Sequence, residues 1–310
     1  MPAAVNDVPT IGPVPPEDYA PVMRLLCSRT ASDYRDEQIQ TTIKDLATGE
    51  ISPQGLLGAY RGGRLTGGVF AQIQPGRAAL VWMPRIVADE PDSTATELLS
   101  AAIDWLGAQR VHLAQVLLEM SMTDDEQFLH RHGFEHLADL LYMVSPEDLF
   151  PTTMPNTSLQ FEPYAESNHE RLVSVVEATY RQTLDCPLLD GVRQIEDVLA
   201  GYRAIGAFDP SRWLLVRHVD RDVGCLLLTD HPEHGNWELI YMGVAATERG
   251  HGWGREIARR GQWMTREAGR PRLVLAVDAS NEPAIRAYAL TGFRAWDRRK
   301  ACVKLLGSRG

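Results

Sequence analysis

An apolar run that is followed at once by alternating glycines dominates the C-terminal half of the sequence. Residues 239–245 read LIYMGVA and predict a buried strand, and residues 249–254 read RGHGWG before a helical pattern begins. Glycine permits backbone conformations that are closed to other residues, so successive N–H groups can turn inward toward an anion. The positive end of the helix dipole adds to the same point. The segment therefore predicts a phosphate-binding loop or, alternatively, an ordinary tight turn between strand and helix.

Length and charge limit the number of domains and the kind of partner. The chain has 310 residues, which is more than one typical domain, and a formal net charge of -10. The negative balance argues against a nucleic-acid partner and is compatible with a cationic or neutral acceptor. The sequence has neither a long apolar stretch nor a signal-peptide pattern, so we expect a cytoplasmic protein with no membrane partner. Four cysteines without a C-x-x-C pair predict no metal site and no disulfide framework.

The order of predicted elements in the C-terminal half is repeated in the N-terminal half. Helices are predicted over 169–184, 191–205, 254–268 and 281–290, and strands over 213–217, 223–228, 237–245 and 272–277, with a closing hairpin formed by 293–296 and 301–306. The same series occurs between residues 17 and 144. We therefore predict two α/β (α+β) domains, 1–150 and 159–310, each a mixed and mostly antiparallel sheet flanked by helices. A proline-containing linker is expected near 145–158.

Two motifs occur in a fixed order in the C-terminal half. The strand, the RGHGWG loop and a helix are followed by a second strand and then by the residues Asn281, Ala284, Tyr288, Gly292 and Phe293. This order resembles the GNAT acetyltransferase superfamily over most of residues 159–306. The tandem layout, from the order of elements, is similar to that of mycothiol synthase and other double-GNAT proteins. The resemblance implies an N-acetyltransferase that moves the acetyl group of acetyl-CoA to a primary amine by direct attack in a ternary complex.

The resemblance assigns the acetyl-CoA contacts to the loop, the preceding strand and the later helix. Loop residues expected to hold the pyrophosphate are Arg249, Gly250, His251, Gly252, Trp253 and Gly254. The Arg249 side chain offers charge or braces the loop, and Trp253 packs in the core. Met242 and Val244 lie at the strand edge that pairs with the pantetheine arm, where an amide aimed at the thioester oxygen contributes on the order of 3 kcal/mol. Asn281 contacts the pantetheine or caps its helix.

Proton transfer needs an acid and a base. Tyr288 matches the position of the family's general acid, although a packed core tyrosine is the alternative. Glu238 lies within an otherwise apolar strand, where burial would raise its pKa and favour a general base. The alternative for Glu238 is a strand-end carboxylate that faces solvent. Tyr241 is the second candidate, for orienting the amine or a water.

The acceptor site is expected at two segments, 180–191 and 296–300. Tyr180, Asp185, Asp190 and Tyr241 are the predicted acceptor-binding residues, since the two acids would receive a cation. The segment 296–300 is basic and would suit a carboxylate. A small-molecule amine is favoured, and a protein N-terminus or lysine is the alternative. A non-catalytic acyl-CoA sensor or scaffold would need the glycine loop but neither proton-transfer group. A monomer or homodimer is expected.

The N-terminal half departs from both motifs. Its segment 87–97 contains no glycine, and Asp89, Glu90 and Asp92 would repel a pyrophosphate while complementing a helix start. The tyrosine position falls at Leu129. We therefore predict a catalytically silent GNAT-like domain that helps to shape the acceptor site, and an unrelated α/β domain is the alternative.

Overall fold

The computed structural model describes residues 8–29 and 32–307. Its contacts divide the chain into two compact units. Among the described residues, the first unit contains 8–118, 122–136 and 302–307, and the second contains 119–121 and 137–301. Each unit therefore includes a segment from the other half of the sequence.

The first unit is built on a mixed sheet. Its elements are β1 (Thr10–Pro13), α1 (Tyr19–Leu26), α2 (Ser32–Thr48), β2 (Leu56–Arg61), β3 (Arg64–Gln74), β4 (Ala78–Ile86), α3 (Asp92–Ala108), β5 (Leu113–Glu119) and α4 (Thr123–Arg131). Strands β1 to β4 pair antiparallel in chain order, and β4 pairs with β5 in parallel. Helix α3 lies against β3 and β4, because its buried residues Leu98, Leu99, Ala102 and Leu106 form one apolar face.

The second unit repeats this arrangement with two further strands. Its elements are β6 (Glu135–Pro146), β7 (Leu159–Pro163), α5 (His169–Tyr180), α6 (Ile195–Arg203), β8 (Trp213–His218), β9 (Arg221–His231), β10 (Asn236–Val244), α7 (Trp253–Glu267), β11 (Arg272–Asp278), α8 (Glu282–Ala289) and β12 (Arg294–Leu305). The two further strands are β6 and β12. Its strands follow the order β6-β11-β10-β9-β8-β7. The β10–β11 pair is parallel and the other pairs are antiparallel.

Helix α7, which follows the glycine loop, packs against the sheet of the second unit. Its buried residues Trp253, Ile257, Gly261 and Thr265 recur every fourth position, so they lie along one face of the helix. Several of them join a core with residues of β9, β10 and β11. Each unit is thus a mixed, mostly antiparallel sheet flanked by helices, which confirms the predicted fold class.

The end of the chain differs from the prediction. The expected hairpin of 293–296 and 301–306 is a single strand, β12, because the intervening residues 297–300 contain no glycine or proline to reverse the chain. Residues 294–301 of this strand belong to the second unit, and those from Cys302 onward belong to the first.

The compact units also differ from the predicted boundaries of 1–150 and 159–310. Strand β6 was expected to close the N-terminal domain, but it pairs with β11 from Leu140↔Asp278 to Pro146↔Arg272. Its residue Met143 is buried in the core of the second unit. Ser145, expected in a linker, is fully buried in this strand. No helix among the described residues is long and apolar enough to cross a membrane.

Candidate active site

A cavity opens where β10 and β11 cease to pair. Their parallel ladder covers Trp237↔Leu273 and Glu238↔Val274, and a bulge then interrupts β10 between Leu239 and Tyr241. Beyond this point Met242, Gly243 and Val244 line a cavity of about 550 Å³, together with the starts of α7 and α8. The unpaired edge of β10 is therefore available to a ligand that can hydrogen-bond with a strand.

The glycine loop forms one wall of this cavity. Gly250 and Gly252 adopt left-handed φ angles of +91° and +80°, which glycine tolerates best. Gly254 lies in the first turn of α7 with a helical backbone, so its expected conformational freedom is not used. Within the described chain, the N–H groups of Gly250, Gly252, Trp253 and Gly254 have no backbone acceptor, as is usual at a helix start. These donors meet the requirement for an anion site.

Arg249 braces the loop. Its Nη1 donates to the carbonyl oxygen of Gln182 at 2.8 Å, its Nη2 to that of Thr179 at 2.8 Å, and its Nε to that of Val244 at 3.2 Å. The first two oxygens lie at the C-terminal end of α5, where the helix dipole is negative. Of the two roles expected for this side chain, bracing is therefore the one that its contacts support.

Of the two aromatic residues of the loop, Trp253 packs in the core while lining the cavity, and His251 lies outside the cavity lining. Trp253 is 7% exposed and packs in the core of the second unit. The His251 ring stacks on Trp253 at 4.6 Å, and its Nδ1 lies 3.1 Å from the carbonyl oxygen of Glu248. His251 does not line the cavity, so only its backbone remains as a predicted phosphate contact.

Tyr288 combines a packed ring with an open hydroxyl. The ring is 5% exposed and lies 5.5 Å from that of Phe293, and the residue lines the cavity. Among the described residues its hydroxyl has no hydrogen-bond partner. Burial, with a smaller contribution from the charge of Asp185, raises the pKa of Tyr288 above its ordinary value of 10.0. The hydroxyl therefore stays protonated near neutral pH, as a proton donor must.

Asn281 begins helix α8 at the edge of the same cavity. Its side-chain oxygen accepts from the N–H of Ala284 at 3.3 Å, which is the cap that the sequence allowed. Asn281 also lines the cavity, so capping and a ligand contact are compatible.

Glu238 does not line this cavity, and its role as the base stays a prediction. Its carboxylate lies 2.8 Å from Nε2 of His231, which belongs to the adjacent strand β9. This contact raises the pKa of His231, mainly because the carboxylate accepts a hydrogen bond from the ring. Glu238 still pairs with Val274 of β11, and the bulge in β10 comes after Leu239. Glu238 therefore lies before the point at which β10 and β11 separate. The structure therefore does not join Glu238 with Tyr288.

A second cavity of about 320 Å³ lies beside the first. It contains all four predicted acceptor residues, which are Tyr180, Asp185, Asp190 and Tyr241. Tyr241 and Asp185 line both cavities. The basic segment 296–300 lines neither. A ligand that extends from the unpaired edge of β10 in the first cavity into the second cavity would therefore pass the side chains of Tyr241 and Asp185.

Aromatic rings form much of the second cavity. Tyr202 stacks on Tyr241 at 5.4 Å, and the Tyr180 and Tyr202 hydroxyls are 2.9 Å apart. The Tyr241 hydroxyl lies 2.6 Å from Oγ1 of Thr179. The sequence reasoning missed Tyr202, although its spacing from Val198 and Leu199 on α6 places it on the apolar face of that helix. No group of three or more potential metal ligands occurs among the described residues.

The comparisons with known proteins agree with this geometry. Residues 177–293 match the Acetyltransferase (GNAT) family. The mycothiol acetyltransferase of Pseudarthrobacter chlorophenolicus is 34% identical over 95 residues, which cover 29% of each chain. That of Nocardiopsis dassonvillei is 40% identical over 100 residues, which cover 29% of this chain and 30% of the relative. The chain therefore spans about a third of the length of the curated relatives that it matches.

Solved structures resemble the fold over nearly the whole chain. The GCN5-related N-acetyltransferase of Sphaerobacter thermophilus superposes with a TM-score of 0.67 at 18% identity and covers 97% of this chain and 96% of its own. A tandem GNAT protein from the clavulanic acid biosynthesis pathway gives a TM-score of 0.52 at 12% identity, with 97% and 100% covered. At these identities the likeness concerns the fold. Residues 177–293 therefore resemble the GNAT family of acetyltransferases, within a chain that has the fold of solved tandem GNAT structures.

Proposed function

We propose that this protein is an N-acetyltransferase that transfers the acetyl group of acetyl-CoA to the primary amine of a small molecule. The observation that carries the proposal is the first cavity. The unpaired edge of β10, the free N–H groups at the start of α7 and the hydroxyl of Tyr288 all line it. A binding module without turnover would need the first two features but not the third.

Acetyl-CoA suits these three features as a substrate. The N–H groups from Gly250 to Gly254 offer donors for the pyrophosphate at the positive end of a helix. The β10 edge from Met242 to Val244 offers backbone groups to the amides of the pantetheine arm. The N–H group of Val244, at this edge, would stabilise the negative charge that develops on the thioester oxygen.

The reaction proceeds by direct attack in a ternary complex. The acceptor ammonium loses a proton, and its nitrogen attacks the thioester carbonyl carbon. The carbon–nitrogen bond forms as the carbon–sulfur bond breaks, and Tyr288 supplies a proton to the departing thiolate. The excess proton on the new amide nitrogen returns to the tyrosine oxygen, so charge and atoms balance.

The second cavity favours a small amine over a macromolecule. Its volume of about 320 Å³ suits a compact ligand, and its tyrosines present aromatic faces that attract cations. The matched relatives are named mycothiol acetyltransferase, which is consistent with a small-molecule acceptor. A protein N-terminus or lysine is the second candidate, because the cavity adjoins the surface loop 181–190.

A thiol-release assay tests the proposal. The protein and acetyl-CoA would be incubated with a panel of small primary amines and with peptides that carry a free N-terminus or a lysine, and products would be identified by mass spectrometry. We expect acetylation of at least one small amine and no preference for peptides. Release of thiol with peptides alone would move the acceptor to the protein class. Binding of acetyl-CoA without any transfer would favour the sensor.

A further inference from the structure

We propose that the carboxylate of Asp185 receives the ammonium group of the acceptor and takes its proton. This inference rests on the proposed function and names the base which that function requires. It also predicts that the second cavity selects an acceptor with a positively charged ammonium group.

The position of Asp185 is the first observation. The residue lines both cavities, together with Thr183 and Tyr241. Tyr288, the proposed acid, lines the first cavity and is close enough for the charge of Asp185 to raise its pKa. An amine that enters from the second cavity toward the first therefore passes this carboxylate.

The absence of a counter-charge is the second observation. Within residues 8–29 and 32–307, no Arg, Lys or His nitrogen pairs with Asp185. By contrast, two buried acids have cationic partners. The Glu248 carboxylate lies 2.5 Å from the guanidinium of Arg221, and the Asp230 carboxylate lies 2.8 Å from that of Arg270. Asp185 is half-buried, and a carboxylate that is partly withdrawn from water without a cation is unfavourable. A ligand ammonium would supply the missing charge.

Local hydrogen bonds hold the carboxylate in place and leave one oxygen open. Oδ1 of Asp185 accepts from the N–H of Asp278 at 3.0 Å, and Oδ2 has no donor among the described residues. The N–H of Asp185 donates to Oγ1 of Thr183 at 3.0 Å, and the N–H of Cys186 donates to Oδ2 of Asp278 at 3.1 Å. Cys186 has a left-handed φ of 47°, which non-glycine residues adopt rarely. The loop is therefore fixed to the end of β11.

The surroundings of Asp185 favour a stronger base. Burial raises the pKa of its carboxyl group above the ordinary 3.8, and the charge of Asp278 adds to the effect. Titratable groups that face it from each neighbouring element are Cys186, Tyr180, Tyr202, Tyr241, Asp278 and Tyr288. Burial raises the pKa of every tyrosine in this group and of the cysteine, so these five are neutral near pH 7. They supply no positive charge that would lower the basicity of Asp185. Three further charged residues, Glu177, Asp190 and Arg193, line the second cavity, and among the described residues the Arg193 guanidinium forms no ion pair with Asp185.

The proton balance assigns one transfer to each group. Asp185 accepts a proton from the ammonium, which gives a neutral amine and a carboxylic acid, and later releases that proton to solvent. The amine then attacks the thioester, and Tyr288 passes the second proton from nitrogen to the thiolate. Asp185 thus acts before bond formation and Tyr288 acts during it.

Three variants test this assignment. D185N removes the charge but keeps an oxygen that can accept from Asp278, D185E restores a carboxylate, and D220N changes an exposed turn residue elsewhere in the second unit. For the best amine, D185N should lower kcat/KM by about 10²-fold or more, the usual effect of losing a positioned base. D185E should recover part of the loss and D220N should match the wild type. The affinity for acetyl-CoA should change little in all three.

The pH profile separates a base from a structural residue. In the wild type, kcat/KM for the amine should fall as pH drops through the raised pKa of Asp185, because protonation removes the base. D185N should lack this acid limb. An unchanged rate and an unchanged acid limb in D185N would overturn the assignment while leaving the proposed function intact.

A binding measurement judges the inference even if no amine is acetylated. Melting temperatures would be recorded with benzylamine and ethanolamine, and with the neutral benzyl alcohol and ethylene glycol as counterparts. Since a ligand of the folded state raises the melting temperature, the amines alone should stabilise the wild type, and D185N should lose that gain. Equal effects of amine and alcohol, or an equal gain in D185N, would refute the ammonium site. Loss of transfer with the amine-specific gain retained would count against the proposed function alone.

Discussion

Tyr288 shows how one residue serves both the core and the cavity. Its place in the motif N-x-x-A-x-x-x-Y identified the position, and its ring is indeed packed against Phe293. The sequence could not tell whether the hydroxyl was satisfied inside the core. That depends on side chains from other elements, and among the described residues none forms a hydrogen bond with it. Packing and proton donation are therefore compatible at this position.

Replacing Tyr288 with phenylalanine separates these roles. The change removes one hydroxyl and little packing, so the affinity for acetyl-CoA should be nearly unchanged. Turnover should fall by roughly 10²-fold or more, the usual range for losing a positioned acid. Steady-state kinetics, calorimetry and thermal melting on this variant would measure the three quantities. Full turnover with a lower melting temperature would leave Tyr288 as a core residue only.

Glu238 shows the limit of reasoning from one residue. A carboxylate in an apolar strand suggested a buried base, but strand pairing brings His231 of β9 to within 2.8 Å of it. That partner is seven residues away in sequence, and its approach depends on the β9–β10 register. The sequence placed Asp185 in the predicted acceptor site, but it did not indicate the role as a base that we propose for this residue. No cationic side chain of the described residues pairs with it, which is a property of the folded loop.

At the scale of elements, the loop before α7 and the C-terminal end of α5 form one assembly through Arg249. The sequence predicted the strand, the glycine loop and the helix because their patterns are local. The contact with the carbonyl groups of Thr179 and Gln182 was beyond prediction, since it joins segments about 70 residues apart in the chain. The sequence alone did not decide whether the Arg249 side chain offers positive charge to the ligand or braces the loop.

Arg249→Lys distinguishes these roles. Lysine keeps the charge but cannot reach three separate carbonyl oxygens as a planar guanidinium does. We expect the free energy of unfolding to fall by about 1–2 kcal/mol, the range for losing one or two net hydrogen bonds, and acetyl-CoA to bind more weakly. Denaturant titration and calorimetry would measure both. If lysine preserves stability and affinity while Arg249→Gln loses affinity, charge rather than bracing is the role of Arg249.

The closing strands show why element boundaries were harder to predict than element types. Alternation in 293–306 indicated strand structure, which the chain adopts as β12. The reversal between two strands was inferred from the local pattern, and residues 297–300 lack the glycine or proline that would favour it. Similarly, the pattern of β6 predicted a strand but not its partner, β11. Pairing is a long-range choice that local patterns do not encode.

The whole molecule repeats one arrangement of elements with different chemistry at the corresponding helix starts. In the first unit, Glu90 lies two residues before the start of α3. Its carboxylate accepts from Thr94 at 2.7 Å and from Arg61 at 2.8 Å. Thr94 lies in the first turn of α3. The hydrogen bond from Arg61 is the main reason that the pKa of Glu90 is lowered. A built-in anion at this place favours the silent role that we predict for the first unit.

The stoichiometry of acetyl-CoA binding tests the central claim, that the glycine loop of the second unit holds this substrate. Calorimetry on the full chain should give one site. Gly252→Asp should abolish binding, since its carboxylate would repel the pyrophosphate, whereas the nearly isosteric Gly252→Asn should retain most of it. Both residues tolerate the left-handed φ of +80° better than other side chains, and a Cβ there meets no atom within 4 Å. Two equivalent sites per chain, or equal affinity in the two variants, would contradict the account.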